Sequence, residues 1–376
     1  MKATNPRPAY GSIPPASIRP ADKKFRLRAI QPRKFLTIRT LEKLYALLMV
    51  LTMQTVYAKL ADGHLEVILS ALSAAVLILI LCCKRKKILI RKKILVNLVL
   101  LNFLFSITPM FQLVFLDSVN IKATLQISAL FLVLFNLCVV YFQTNKNVIM
   151  RFLRDLNDMI CLVNVVSMFF YVFGQTLHWI PVTNIVTVRW GGIRRVSSFL
   201  GLHFVTQGEF YHGFANGRFT GIFAEAPMSS FMLSTALLLT IFVDDRKISK
   251  LRVAFLAFGI YVSISTTGYI IGLSVLCIIL CFHRFQKKII RQSLYFLRPI
   301  LLLTFSRAIF SVYRNKRYLD AGSVLTRNQN LESALSRFGE LPLFGYGFKA
   351  DSIGILGGDT STFSQILQQG GILFFI

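Results

Sequence analysis

Hydrophobic positions in this chain run in continuous stretches rather than alternating with polar ones. Apolar runs fall near 41–58, 65–83, 94–116, 123–143, 159–180, 228–243, 253–267, 269–282, 296–312 and 363–376. A helix crosses a hydrocarbon core of about 30 Å with about 20 apolar residues, and several runs approach or reach that length. A transmembrane β-barrel strand alternates apolar and polar positions, which these runs do not. The expected fold class is all-α: a polytopic integral membrane protein of about 10 transmembrane helices.

The connections between runs carry the charge. Lys and Arg gather in "KRKKILIRKK" (84–93), "NKNVIMRFLRDLND" (145–158), "DDRKISKLR" (244–252), "HRFQKKIIR" (283–291) and the N-terminal arm. The intervening connections are short and nearly neutral, or long and mixed. Basic residues collect on the cytoplasmic side, so span count and charge bias agree on one topology. The N-terminus is cytoplasmic, and two long extracytoplasmic loops, 181–228 and 313–362, face the other side. Residues 1–40 form a basic, proline-rich cytoplasmic arm expected to be disordered. That arm has neither the apolar core nor the small-residue cleavage site of a signal peptide. Residues 41–376 form the membrane-embedded domain.

Composition changes little in this picture. The chain has 55% hydrophobic residues, 34 Phe and a mean hydropathy of +0.61, beyond the usual soluble range. Its net charge of +27 is accounted for by the basic cytoplasmic connections and does not call for nucleic acid. The stretch 251–283 is barely long enough for two crossings, and basic flanks on both ends predict a tight hairpin turning at Ser265–Gly268. The final run, "SQILQQGGILFFI", is short for a span and reads as a short last helix or a longer protein cut off, with truncation favoured. The six Cys lie within or at the cytoplasmic ends of apolar runs, and neither Cys82–Cys83 nor the Cys277/Cys281 pair forms a metal-binding motif, so packing outweighs metal binding.

The outer-loop arginines run against the charge bias. The first loop holds Arg189, Arg194, Arg195 and Arg218; the second holds Arg314, Arg317, Arg327 and Arg337, with Arg307 just inside the preceding span. Guanidinium forks grip phosphate and diphosphate oxygens at two points. Taken singly, each arginine is as well explained by anionic head groups or by Asp320, Glu332 and Glu340; taken together they suit a diphosphate. Glu225 stands at the mouth of an apolar helix, followed by Pro227. It serves either as a helix cap or as a general base near Arg218, with Gly221 allowing close backbone approach. Gly345 and Gly347 mark a sharply turning loop. Asp359 and Thr362 precede the last helix, as a cap or as a polar cluster opposite Glu225.

These residues carry a resemblance. "RFTGIFAEAPMSS" (218–230) resembles the Arg-x-x-Gly-x-Phe-x-Glu-Pro entrance to a span in the O-antigen polymerase and O-antigen ligase superfamily, with Ala226 intervening before Pro227. "SISTTGY" (263–269) resembles its Ser/Thr-Gly turn. "LSRFGELPLFGYGF" with "STFSQILQQGG" resembles its Pro-Leu-x-Gly-x-Gly loop and following helix. The resemblance covers roughly 180–376. It implies a bacterial inner-membrane polysaccharide polymerase for O-antigen, capsule or exopolysaccharide. Such an enzyme is a glycosyltransferase that uses no metal or nucleotide cofactor and moves glycan from undecaprenyl diphosphate to an acceptor sugar with inversion. The implied partners are the undecaprenyl-diphosphate-linked oligosaccharide, membrane lipid, a chain-length regulator and a flippase. The implied diphosphate-binding set is Arg218, Arg194, Arg195, Arg307, Arg314, Arg317 and Arg337. With no histidine in the place where the family carries one, Glu225 or Asp359 serves as catalytic base, or the acceptor is activated mainly by position. Ligase members carry a histidine near the start of the helix after the second loop; here 313–362 has none, which favours polymerase over ligase. A flippase of lipid-linked saccharide is the alternative, although no internal repeat is present and the polar groups sit in outer loops rather than mid-span.

Overall fold

The computed structural model describes residues 37–60, 64–84, 92–116, 121–143, 147–189, 193–207, 217–244, 249–282, 288–319, 321–347 and 368–372. The chain divides into a short unit, Met1–Thr37, and a second, Ile38–Ile376, which holds every element described below. Ten helices follow in order among the described residues: α1 Ile38–Thr52, α2 His64–Cys83, α3 Lys92–Phe115, α4 Ile121–Gln143, α5 Val148–Phe170, α6 Ala226–Phe242, α7 Lys250–Val262, α8 Thr266–Phe282, α9 Lys288–Leu319 and α10 Ala321–Glu340. A 3₁₀ turn, Tyr57–Lys59, follows α1, and a π-helical turn, Tyr171–Thr176, extends α5.

The helices follow from their apolar faces. On α5, Phe152, Leu156, Ile160 and Asn164 are buried at four-residue steps, one stripe of a helix turned inward. On α1, Leu41, Tyr45 and Leu48 do the same. α1 lies against α2 and α5, α4 against α2 and α3, and α6 against α5, α7 and α8. Small residues let these last helices approach. A Cβ on Gly268 would meet Ser230 Cβ at 2.5 Å, and one on Gly259 would meet Leu233 Cδ1 at 3.0 Å.

Among the described residues, four helical stretches are long and apolar enough to cross a membrane: His64–Cys83, Lys92–Phe115, Thr124–Gln143 and Val148–Thr176. Ala226–Phe242 and Thr266–Ile278 are apolar but shorter. The run 41–58 is not one helix: α1 stops at Thr52, and Gln54 takes a φ of 55°, left-handed backbone that ends it. The run 251–283 does break in two, at Val262–Ser265, where Ile264 has a φ of 45°. Most of 363–376 lies outside the described residues.

The fold is mostly helical, in keeping with the all-α expectation, and two features add to it. The first long loop folds into a small antiparallel three-stranded sheet, β1 Asn184–Arg189, β2 Ile193–Phe199 and β3 His203–Val205, in the order β1-β2-β3. β-branched residues on β1 and the Gly191–Gly192 pair between β1 and β2 carry the signal for it. The second long loop is also largely helix: α9 runs on to Leu319, and α10 fills 321–340. No proline interrupts 300–341, and Ala334 buries one face of α10.

The end of the bundle from which α5 starts is clasped by charge. Arg39 donates to both carboxylate oxygens of Asp155 at 2.5 Å. The buried Glu42 lies 2.6 Å from Lys84 Nζ and 3.2 Å from Arg151 Nε. This clasp joins α1, α5 and the connection after α2. We expect Glu42→Ala to destabilise the protein on the order of 3 kcal/mol, because Lys84 is left buried without its counter-charge. Thermal unfolding in detergent should recover much of that loss in the Glu42→Ala/Lys84→Met double variant; an unchanged midpoint for Glu42→Ala alone refutes the clasp.

Candidate functional site

The stretch Arg218–Glu225 is a strap of irregular backbone threaded through the far end of the bundle. Phe219, Thr220, Gly221, Ile222, Phe223 and Ala224 are all buried. Buried backbone needs hydrogen-bond partners, and here they come from three places: the end of α7, β3 and the segment after α1. Phe219 N–H donates to Val262 at the end of α7 (3.0 Å). Phe204 N–H of β3 donates to the Gly221 carbonyl (2.9 Å), and Thr220 Oγ1 donates back to the Phe204 carbonyl (2.5 Å). Val56 N–H donates to Ile222 (2.8 Å) and Ala224 N–H to Gln54 (3.0 Å), with Thr55 and Phe223 forming a bridge. Gly221 has a φ of 61°, and a Cβ there would touch Asn164 and Ser167 of α5 at 3.6 Å. These are ordinary contacts, so it is the left-handed backbone, not a close approach, that selects glycine here.

Glu225 occupies the N-cap position of α6 in extended backbone (φ −147°, ψ 153°), and its side chain does not cap the helix. Gln207 does that work. Its Oε1 accepts from Ala226 N–H at 3.2 Å, while its own carbonyl accepts from Arg218 N–H at 3.3 Å. One residue thus ties both ends of the strap, holding Arg218 and Glu225 at a set separation and leaving the Glu225 carboxylate out of helix capping. Arg218 is half-buried and within electrostatic reach of Tyr269 on α8, whose hydroxyl donates to the Tyr261 carbonyl at 3.0 Å. Gln207 was not singled out from the sequence, where it stands alone, distant from the helix it caps.

His203 stands behind the strap. Its Nε2 lies 2.8 Å from Gln175 Oε1 at the π-turn of α5, and its ring stacks on Phe219 (6.0 Å between centroids, 7° between planes). Burial pushes its pKa down from 6.5 to about 3, only partly offset by the Gly221 carbonyl beside it. The imidazole is therefore neutral, and it packs inside the strap rather than facing solvent. An apolar cavity of about 340 Å³ reaches the strap from another side. It lies between α1, α2 and α5, lined by Leu51, Leu69, Leu162 and Val166 among others, and ends at Tyr57 and Ile222.

The other expected residues do not join Arg218, Gly221 and Glu225 in the strap. Arg194 and Arg195 are exposed on β2. Arg307, expected within a span, lies on α9, and Arg314 and Arg317, expected in a loop, lie on the same helix; Arg307 and Arg314 have exposed side chains, and Arg337 sits in the last turn of α10. Asp359 and Thr362 lie outside the described residues. Gly345 and Gly347 form a second built feature, with φ of 64° and 93°. Tyr346 N–H donates to Gln368 (2.7 Å) and Gly347 N–H to Gln369 (3.0 Å), closing the loop on the segment 368–372. Gln112 of α3 reaches in to donate to the carbonyls of Phe344 and of Gln369, the latter at 2.7 Å. No family model matches this chain, and neither does any curated protein or solved structure.

Two outcomes test this geometry. Gly221→Ala meets only ordinary contacts and should cost roughly 1–2 kcal/mol, the price of left-handed backbone. Gly345→Ala should cost clearly more, because its Cβ would lie 2.6 Å from Gly371 N, a clash with backbone. Equal melting temperatures for the two variants contradict that ordering. For His203, the folded-state pKa lies below the unfolded one, so the unfolded chain binds the proton first. Stability is full above about pH 6.5 and is lost as pH falls below it, by about 1.4 kcal/mol per unit. Melting temperatures between pH 7.5 and 5 should fall less steeply in His203→Gln than in the parent protein.

Proposed function

We propose that this protein is a bacterial envelope polysaccharide polymerase of the inner membrane, moving glycan from undecaprenyl diphosphate to an acceptor repeat-unit sugar. The single observation that carries the reading is the strap: an arginine and a glutamate held seven positions apart by one glutamine, at the mouth of an apolar helix. The strap's sequence is also one of the three stretches in which the chain resembles the O-antigen polymerases. In this proposal the chain crosses the membrane about 10 times with its N-terminus in the cytoplasm, and the shorter apolar helices, α6 and α8 among them, complete the spans.

The chemistry assigned to the strap is direct displacement. The acceptor hydroxyl attacks the anomeric carbon, the bond to the diphosphate oxygen breaks, and configuration inverts. Glu225 takes the hydroxyl proton as general base. Arg218 meets the negative charge that grows on the leaving diphosphate, where a fixed cation is worth most. The adjoining apolar cavity suits the first isoprene units of the donor. Asp359, the other expected acid, is not needed for this assignment. Neither are the arginines of β2, α9 and α10.

The test is a lipid-linked oligosaccharide assay. Purified full chain in detergent receives undecaprenyl-diphosphate repeat units from its own host, without metal or nucleotide, and products are sized on a gel. A ladder is expected, and Arg218→Ala and Glu225→Gln should each slow it by about 100-fold or more while the protein still inserts and melts normally. Unchanged ladders in both variants remove the strap as the site, and movement of the substrate across vesicles without elongation establishes a transporter instead.

A further inference from the structure

The β1–β2 hairpin has two faces with different company. Val188 and Val196 share one face and are buried; Phe199, on the opposite face by alternation, is buried at the far end of β2, where a Cβ on Gly174 of the π-turn would lie 2.7 Å from its ring. The register pairs Ile185 with Ser197 and Thr187 with Arg195, so these residues, alternating with Val188 and Val196, share the outer face, while Arg194 pairs with Val188 and is exposed at the other face of the strand. Ile185 is 68% exposed, and Ile193 at the tip of β2 is 71% exposed. In water, this apolar surface would stand uncovered.

The hairpin's height in the fold says what covers it. The candidate span Val148–Thr176 ends three residues before Trp179, which is itself 71% exposed. Tryptophan concentrates at the membrane–water boundary, where its ring is apolar and its N–H stays wet. The chain has two Trp, and the second, Trp190, falls in the β1–β2 connection, outside the described residues. Charge points the same way. No Asp or Glu occurs from 159 to 208, and among the described residues neither Arg194 nor Arg195, both exposed, has an acidic partner. Arginines beside exposed isoleucines at the end of a span match a surface with an apolar interior and anionic head groups.

We propose that strands β1 and β2 form a membrane-surface anchor, Ile185 and Ile193 dipped into the interface and the exposed Arg194 and Arg195, one on each face of β2, reaching anionic phospholipid head groups. This assigns the two arginines to the bilayer rather than to a sugar-lipid diphosphate, and it stands whether or not the chain makes polymer. Anchoring here holds β2 and β3 at a constant depth, and β3 carries the Phe204 contacts of the strap.

The experiment uses full-length protein with Trp190→Phe, leaving Trp179 as the reporter, in vesicles of phosphatidylcholine alone or with about 30% phosphatidylglycerol. Acrylamide is the aqueous quencher because it is neutral and is not repelled by the anionic surface. Quenching should drop about threefold with phosphatidylglycerol, since each arginine contributes up to about fivefold in affinity for such a surface. Lipids brominated near the head group should quench Trp179 more than lipids brominated deep in the chain. Arg194→Ser/Arg195→Ser should return acrylamide quenching to the phosphatidylcholine level. Equal quenching in both vesicle types, with no effect of the double variant, overturns the proposal. So does protection by millimolar inorganic phosphate without phosphatidylglycerol, which identifies a free-anion site. Protection that tracks protein density instead identifies a contact between copies and overturns it as well.

Discussion

Six consecutive residues of irregular backbone, Phe219–Ala224, are buried between helices, and an unpaired N–H or C=O there would cost as much as a lost hydrogen bond or more. That constraint orders the far end of the molecule. The partners are Gln54 and Val56 after α1, Phe204 on β3 and Val262 at the end of α7. Each of these is itself a helix end or strand edge with spare groups to offer. The strap is thus the common partner of elements that are distant in sequence, and its own shape follows from where they stand.

The two ends of the bundle handle charge differently for the same reason. At the start of α5, carboxylates are buried, so each is matched: Glu42 by Lys84 and Arg151, Asp155 by Arg39. At the other end, arginines of the hairpin are exposed and Glu225 is held at a helix N-terminus by its backbone, with Gln207 meeting the helix's first N–H. Charges of the first kind hold helices together. Charges of the second kind face whatever comes to the surface.

Much of the helical content was legible because a 3.6-residue period or a continuous apolar run survives in the sequence whatever its neighbours do. α2, α3 and α4 fall on expected runs, whereas α5 starts at Val148, within a stretch expected as a basic connection, and covers only the first part of the run at 159–180. Gly221, Gly345 and Gly347 were legible as well, since left-handed backbone selects glycine locally. The sheet was overlooked because apolar content outweighed its short alternation, Val186 and Val188 inward, Ile185 and Thr187 outward. α10 was taken for loop because its polarity hid its helical propensity. Gln207 and Gln112 left no local sign, because each acts on backbone 19 or more positions away.

What the sequence determined by itself was local: which segments are apolar enough to leave water, where basic residues gather, and where only glycine can turn the chain. Those properties depend on side-chain chemistry within a few residues. The tertiary structure decided which polar groups meet. It placed Arg194 and Arg195 on β2 and Arg307 and Arg314 on α9, although the charge bias along the sequence groups them with Arg218. It also brought Gln207, His203 and Gln54 to it, from as far as 170 positions away in the case of Gln54. Hydrogen bonds reach about 3 Å in space and take no account of sequence separation, so a site built from them becomes visible only when the chain is folded.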